Sequence, residues 1–186
     1  MSKQNATKRP PRTDSELLVI IESQLEYCPE EGAPETGYFK WKVAKSPIQA
    51  GDWAGYVITH GYRKIELMGV VLAEHRLVYL LTHGHLPTQI DHKNGIKTDN
   101  RPENLRPATR TQNGQNRKIQ QNNSGYKGVH RRKTGHKFSA AIRVNKILIS
   151  LGNFDCPIKA AEAYDAAALK HFGEFARINF PAQQSA

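Results

Sequence analysis

The chain has 186 residues, which suits one or two small domains, and it carries 27 Lys and Arg against 17 Asp and Glu. The formal net charge of +10 favours an anionic polymer or surface as the partner. No apolar run is long enough to span a bilayer and no signal-peptide pattern opens the chain, so we expect no membrane partner.

Cysteine usage indicates the compartment. Cys28 and Cys156 lie far apart and match no zinc spacing, so no structural zinc is expected. We interpret both as free thiols of a cytoplasmic protein in a reducing environment. A single disulfide is the alternative.

The charge is distributed unevenly along the chain. Residues 14–36 contain seven acids and no Lys or Arg, whereas residues 104–154 contain eleven Lys or Arg and no acid. A charge run is often only a solvated surface. An acid-free span of this length, however, favours a surface that faces phosphates.

The N-terminal part begins with a polar, basic segment, residues 1–13, which we expect to be a disordered arm. Apolar residues then recur at helical spacing, which predicts a helix from a cap at Asp14 or Ser15 to Cys28-Pro29. Short β-like runs punctuated by glycines follow at 38–41, 55–58 and 62–67. They predict a small antiparallel sheet.

The segment 90–116 is conspicuously polar and rich in turn signals. A helix predicted over 72–83 and ended by Gly84 leads into a strand that delivers the adjacent Asp91-His92. A turn-rich loop, a short strand at Leu105 and a second helix follow. This pattern predicts a compact finger that brings side chains distant in sequence together.

A second module follows a polar linker at residues 119–123. Three short strands are predicted at 126–130, 137–143 and 146–151, and then an Ala-rich helix capped by Asp155 and ended by Gly173. Alternation places Lys137, Ser139, Ala141 and Arg143 on one strand face and the apolar residues on the other. The predicted fold class is therefore α+β.

Residues 72–118 resemble the HNH homing endonucleases, which are ββα-metal nucleases of phages and mobile introns. The resemblance rests on Asp91-His92, on Asn104-Leu105, on the segment 113–116 and on the upstream sequence His75-Arg76-Leu77-Val78. It implies an HNH domain over 14–118 with its ββα-metal core at 88–118. The third signature position, His in the eponymous motif, is Asn113 here, as in the homing branch.

The resemblance also implies roles for four residues. His92 would be the general base that activates water, and Asn104 would orient the His92 ring. Asp91 and Asn113 would bind one divalent cation. An imidazole that titrates near neutrality suits the first role, and oxygen ligands suit Mg²⁺, with Mn²⁺ as an alternative.

Residues 124–181, which precede a short tail at 182–186, resemble the AP2 DNA-binding domain. The matching segments are 125–129, 138–142, 151–154, 160–167 and 179–181. The resemblance implies a three-stranded sheet packed on one helix, with the sheet in the major groove. The implied DNA contacts are Lys127, His130, Arg131, Arg132, Lys137 and Arg143. The tryptophans of the plant pattern are missing and its acidic contact is Ala141, so plant sequence preference does not transfer.

Together these observations predict a two-module, metal-dependent endonuclease of double-stranded DNA, as a monomer that nicks or a homodimer that cuts both strands. The alternative is a non-catalytic, sequence-specific DNA-binding regulator with a vestigial HNH unit. A generic basic sheet that binds only the DNA backbone remains open for the second module.

Overall fold

Short strands and four helices make up the part of the chain that the computed structural model describes, residues 13–117, 122–133 and 135–181. The helices are α1 (Asp14–Gln24), α2 (Glu74–His83), α3 (Arg110–Gln115) and α4 (Pro157–Phe172). The strands are β1 (Leu25–Tyr27), β2 (Phe39–Trp41), β3 (Tyr56–Val57), β4 (Arg63–Leu67), β5 (Val70–Ala73), β6 (Ile90–His92), β7 (Leu105–Pro107), β8 (Val129–Arg131), β9 (Phe138–Val144) and β10 (Ile147–Phe154).

Helices and small antiparallel sheets confirm the predicted α+β class. The chain divides into two compact units, the first ending at Arg106 and the second beginning at Pro107. The predicted linker, 119–123, falls within the second unit. Residues 1–12 of the predicted arm, residues 119–121 of that linker and the tail 182–186 lie outside the described residues. Over the described ranges no helix is long and apolar enough to cross a membrane.

The first helix is shorter than predicted. Thr13 caps α1 by accepting a hydrogen bond from the Glu16 backbone N–H (3.2 Å), and the Glu16 carboxylate accepts from the Thr13 N–H (2.9 Å). The helix ends at Gln24 because Leu25 starts a strand that pairs with β2 and is buried there. The predictions of a cap at Asp14 or Ser15 and of an end near Cys28 were therefore wrong.

Helix α2 begins two residues later than predicted, because residues 70–73 pair with β4 as strand β5. Its end is confirmed: Gly84 adopts a left-handed conformation (φ 74°) and its N–H donates to the carbonyl of Leu80 (2.8 Å). The glycine is required there because side chains disfavour positive φ.

The core of the first unit fixes the strands that carry the predicted site. Leu77 and Leu80 of α2 pack in one cluster with Ile65 of β4, Ile90 of β6 and Leu105 of β7. Strands β6 and β7 form a two-stranded sheet, so Asp91 and His92 stand on a strand whose first residue is anchored in the core. Apolar burial thereby sets the position of the polar residues that follow.

The second unit contains the sheet β10-β9-β8 packed on α4. Ala140 and Ile142 of β9 are buried against the helix, as the predicted alternation requires. Gly173 ends α4, also as predicted. The N-cap is Cys156, with no side-chain cap bond, so the prediction that Asp155 caps this helix was wrong.

The close approach of Gly128 to Tyr164 generates a stability prediction. Gly128 has φ 75°, and a Cβ added to it would overlap the Tyr164 ring. We expect Gly128→Ala to lower the free energy of unfolding by roughly 1–2 kcal/mol for the left-handed backbone and by roughly 1–3 kcal/mol more for the overlap. Calorimetric unfolding measures the loss.

Gly125→Ala is the matched control. Its φ of 76° carries the same backbone cost, but no atom lies within 4 Å of the added Cβ. Equal losses for the two variants would contradict the assigned contact between residue 128 and the Tyr164 ring.

Candidate functional site

Side-chain amides and one carboxylate hold the loop between β6 and β7 in shape. Asn104 Oδ1 accepts from the Asn94 N–H (3.0 Å), and Asn104 Nδ2 donates to the Asp99 carbonyl (2.6 Å). Asn94 Nδ2 donates to Asp99 Oδ2 (2.6 Å), and Asn94 Oδ1 accepts from the Ile96 N–H (2.8 Å). A polar loop thus acquires a defined conformation without an apolar core of its own.

Asp99 is the charged centre of this loop. Its two carboxylate oxygens accept from Nε and Nη2 of Arg101, both at 2.8 Å. Hydrogen bonds from Arg101 and, to a smaller extent, from Asn94 lower the pKa of Asp99 to about 2, although burial acts in the opposite direction. The Asp99 side chain is 3% exposed, so this pair is sheltered from solvent on the carboxylate side.

Asp91 on β6 forms an ion pair with the guanidinium of Arg106 on the neighbouring strand β7. Nε and Nη2 of Arg106 donate to Asp91 Oδ2, at 3.0 and 2.8 Å, and both residues are buried. The guanidinium compensates part of the carboxylate charge and fixes the orientation of the Asp91 side chain.

Asn100, and not the predicted Asn104, makes a side-chain hydrogen bond with the His92 ring. The His92 Nε2 atom lies 2.8 Å from Asn100 Oδ1, and both side chains are buried. Asn104, predicted to orient the His92 ring, directs its amide to Asn94 and Asp99 instead. Asn100 is buried beside His92 and makes the contact that can orient the ring. Asn104 acts indirectly, because its hydrogen bonds hold the loop between β6 and β7 that carries Asn100.

Two aromatic rings pack close to His92. The His75 ring meets it edge-on with centroids 5.2 Å apart, and the Tyr62 ring lies 6.0 Å away. Burial lowers the pKa of His92 below its ordinary value, against the opposing effects of Asn100, Asp91 and Asp99. Burial also lowers the pKa of His75 to about 3. Both shifts favour the neutral imidazole.

The predicted cation ligands, Asp91 and Asn113, present oxygen donors of the kind that Mg²⁺ prefers. Asp91 stands on β6, while Asn113 lies on α3, in the second compact unit, so their joint role stays a prediction. No group of three or more His, Cys, Asp or Glu side chains in the described ranges is arranged to hold a metal ion. A site made of one carboxylate and one amide needs no such group.

The strand register places the predicted DNA contacts of the second unit on two different faces of the sheet. His130 pairs with Ser139 and Arg132 with Lys137, so these residues share a sheet face with Arg143. Arg131 pairs with Phe138, whose ring packs into the core under the sheet, so it belongs to the opposite face. The five predicted residues of the strands and their connecting turn are all exposed: His130, Arg131, Arg132, Lys137 and Arg143.

Lys127 differs from the other predicted DNA contacts. Its Nζ donates to the carbonyl oxygens of Gln115 (2.6 Å) and Arg117 (2.9 Å), at the C-terminal end of α3. Burial and the nearby Arg177 lower the pKa of Lys127 to about 8. The ammonium serves the last carbonyls of a helix, where positive charge is favourable, rather than an open sheet surface.

Four residues near the site were not found by sequence reasoning: Arg63, Glu74, Asn100 and Arg106. Glu74 is fully buried, and its Oε2 lies 3.2 Å from Arg63 Nε and accepts from Asn100 Nδ2 (2.7 Å). Burial raises the pKa of Glu74, while the donors around it favour the ionised form. A glutamate that directly precedes His75, on the buried face of an amphipathic helix, was the available signal.

The Asp99–Arg101 pair generates a prediction of acid sensitivity. Because the folded-state pKa of Asp99 lies near 2, below the ordinary aspartate value of 3.8, its stabilisation is complete above pH 4 and is lost as the pH falls toward 2. We expect Asp99→Asn to be less stable than wild type at pH 7 and to show a shallower loss between pH 4 and 2. Urea unfolding followed by tryptophan fluorescence measures this, since Trp41 and Trp53 both lie in the first unit.

Arg101→Gln is the companion variant, since it removes the cation and keeps the carboxylate. It should also flatten the acid limb. Parallel acid limbs for wild type and both variants would contradict this assignment.

Comparison with known proteins identifies the family. Residues 73–115 match the family model described as HNH endonuclease. An uncharacterized HNH endonuclease of Acanthamoeba polyphaga mimivirus is 30% identical over 149 residues, which are 78% of this chain and 70% of that protein. An ethylene-responsive transcription factor of Arabidopsis thaliana is 47% identical over 60 residues, 31% of this chain and 32% of that protein. The chain belongs to the HNH endonuclease family.

Proposed function

We propose that the chain is a metal-dependent endonuclease that hydrolyses phosphodiester bonds of double-stranded DNA, with His92 as the general base. One observation carries the proposal: a buried imidazole with a lowered pKa stands beside a buried carboxylate on β6, within the segment that matches the HNH family. The net charge of +10 supports a polyanionic substrate.

His92 is suited to remove a proton from water. A general base must be unprotonated at the working pH, and the lowered pKa of His92 satisfies this condition. The His75 and Tyr62 rings limit the access of bulk water to the imidazole, and the hydrogen bond with Asn100 restricts rotation of the ring. Together these contacts hold the base in one orientation before substrate binds.

Asp91 and Asn113 would hold Mg²⁺, with Mn²⁺ as an alternative. The bound cation would supply stabilisation of the negative charge that develops on the phosphate and leaving oxygens. Within the chain, Arg106 orients the Asp91 carboxylate through Oδ2 and limits its motion. Asn113 is held in α3, whose first turn carries a capping box between Thr109 and Gln112.

We further propose that the second unit is an AP2-type module that anchors the enzyme on DNA. The exposed face with His130, Arg132, Lys137 and Arg143 supports this role, and it lies in the acid-free span of the chain. The 60-residue similarity to a plant transcription factor has the length of such a module. A sheet of this size fits a major groove, where arginine can read guanine and where arginine and lysine both contact phosphate.

A non-catalytic DNA-binding regulator is the second candidate, favoured by the similarity to a transcription factor. Cleavage separates the two functions, because a regulator binds DNA without breaking it. A single active site cuts one strand at a time, so a monomer should nick and double-strand cleavage should require a homodimer.

Plasmid cleavage tests the proposed chemistry. We expect wild type to nick supercoiled plasmid with Mg²⁺ and to lose activity in EDTA. His92→Ala should reduce the rate by about 10²–10⁴-fold, the usual contribution of a general base. Gel analysis of relaxed and linear products measures this effect.

His171→Ala is the control, since His171 is an exposed histidine in the last turn of α4. It should cleave like wild type. Full activity in His92→Ala would refute the base, and binding without cleavage by wild type would favour the regulator.

Salt dependence of DNA binding tests the sheet. Arg143→Gln should weaken binding and reduce the slope of log K against log [salt] by about 1, because one phosphate contact is lost. Lys127→Gln removes the same charge from a lysine engaged by α3, so it should lower stability and leave the slope unchanged. Fluorescence anisotropy over a salt series measures both slopes.

Point variants are preferable to truncation in this experiment. Removing residues 123–186 would also remove Lys127 and the turn Gly173–Phe175 that packs against α3. Equal slopes for wild type and Arg143→Gln would contradict the DNA contact assigned to Arg143.

A further inference from the structure

A chain of buried polar side chains runs from Arg63 to His92. Arg63 pairs with Glu74 (Nε to Oε2, 3.2 Å), Glu74 accepts from Asn100 Nδ2 (2.7 Å), and Asn100 Oδ1 lies 2.8 Å from His92 Nε2. All four residues are buried, with Glu74 and Asn100 at 0% exposure. Each link therefore operates away from solvent, where an unmatched donor or acceptor is costly.

The Arg63 end of the chain selects the ionised form of Glu74. Besides the Arg63 guanidinium, the carboxylate receives the Tyr38 backbone N–H at Oε1 (2.9 Å) and the Asn100 amide at Oε2. All of these neighbours are donors. An ionised carboxylate can only accept hydrogen bonds, so it matches each of them.

Ionised Glu74 in turn determines the orientation of the Asn100 amide. Only the NH₂ group of Asn100 can face an acceptor, so its Oδ1 must face the other way, toward His92. An amide oxygen accepts and cannot donate. The His92 Nε2 atom must therefore carry a hydrogen, and in a neutral imidazole the lone pair then resides on Nδ1.

We propose that Glu74 is a positioning residue that acts through Asn100 to fix His92 in the Nε2–H tautomer, which leaves Nδ1 as the nitrogen that takes the proton from water. This inference rests on the proposed function of His92 as the base. It assigns the roles of Glu74 and Asn100 and names the reacting atom.

The opposite arrangement shows what the ion pair prevents. If the Asn100 amide were reversed, its NH₂ group would face His92 Nε2, and that nitrogen would then accept a hydrogen bond. The hydrogen of the neutral imidazole would then lie on Nδ1, and Nδ1 would have no lone pair with which to take a proton from water. Reversal would also place the Asn100 oxygen against the Glu74 carboxylate, so the two acceptors would repel each other.

The experiment observes the tautomer directly in the full-length protein, without metal or DNA. Two-dimensional NMR of protein labelled with ¹⁵N-histidine distinguishes a protonated from an unprotonated ring nitrogen, and the His92 signals are those lost in His92→Ala. Wild type should show a protonated Nε2 and an unprotonated Nδ1. A protonated Nδ1 would overturn the proposal.

Glu74→Gln tests the relay, because either orientation of the glutamine amide sets an NH₂ group against a donor. We expect a mixture of His92 tautomers and cleavage slower by roughly 10–100-fold, as for other groups that orient a reacting ligand. Glu66→Gln is the matched control, an exposed glutamate of β4 that should keep the wild-type tautomer and rate.

Exchanging donor and acceptor provides a rescue. In the double variant Glu74→Gln with Asn100→Asp, the glutamine donates to the aspartate, and the aspartate accepts from His92 Nε2. The wild-type tautomer should return and the rate should recover in part. If Glu74→Gln alone keeps the wild-type tautomer, or if the exchange fails to restore it in a folded protein, the relay is refuted.

Asn100→Ala covers the case in which Glu74→Gln does not fold, since it keeps the Arg63–Glu74 pair and removes only the acceptor for His92. A single fixed Nε2–H tautomer in this variant would also overturn the proposal. Failure of the proposed function has a different signature: wild type would cleave no DNA, while the tautomer readings would stand unchanged.

Discussion

The buried ion pair between Arg63 and Glu74 is the constraint on which the first unit depends. It joins strand β4 to the start of α2. The guanidinium also donates to the carbonyls of Thr36 and Ala54. Desolvating two charges is costly, and removing one partner from such a pair destabilises proteins by roughly 3–5 kcal/mol. The pair is thus a poor source of net stability but a strict requirement for one arrangement of its neighbours.

That strictness would serve the proton transfer proposed for His92. An apolar pair of similar volume could pack between β4 and α2, yet it would leave the Asn100 amide without a preferred orientation. The loop that carries Asn100 has little apolar material, and its order comes from hydrogen bonds among Asn94, Asp99 and Asn104. Polar specificity here replaces the packing that a larger core would supply.

Local patterns were sufficient to predict most of the elements. Helical periodicity with a terminal glycine located α2 and α4, and alternation assigned the buried face of β9. The errors in the extent of α1 and α2 occurred where pairing between distant strands competes with local propensity. Leu25 pairs with β2 as the first residue of β1, and residues 70–73 pair with β4 as β5. In both places hydrogen bonds between distant strands and burial outweigh a short helical preference.

The sequence was sufficient to predict the part of the candidate site whose residues are neighbours in the chain. Asp91-His92 stands out because a carboxylate and an imidazole follow an apolar residue directly. Their partners do not stand out: the loop offers several asparagines, and side-chain chemistry alone cannot rank Asn100 above Asn104 as the neighbour of His92. Arg106 and Glu74 were missed for a related reason, since a charged residue in a sequence gives no sign that it is buried and paired.

The contact of Lys127 with the end of α3 bears on how this architecture can be recombined. A designer who exchanges the sheet module at the polar stretch 119–123 would separate a helix from the lysine that serves its last carbonyls. A junction at Arg106–Pro107 keeps helix, lysine and sheet in one transferable cassette. The unit to transfer is therefore larger than the sheet of β8, β9 and β10 with α4, and chimeric proteins should be joined at Arg106–Pro107.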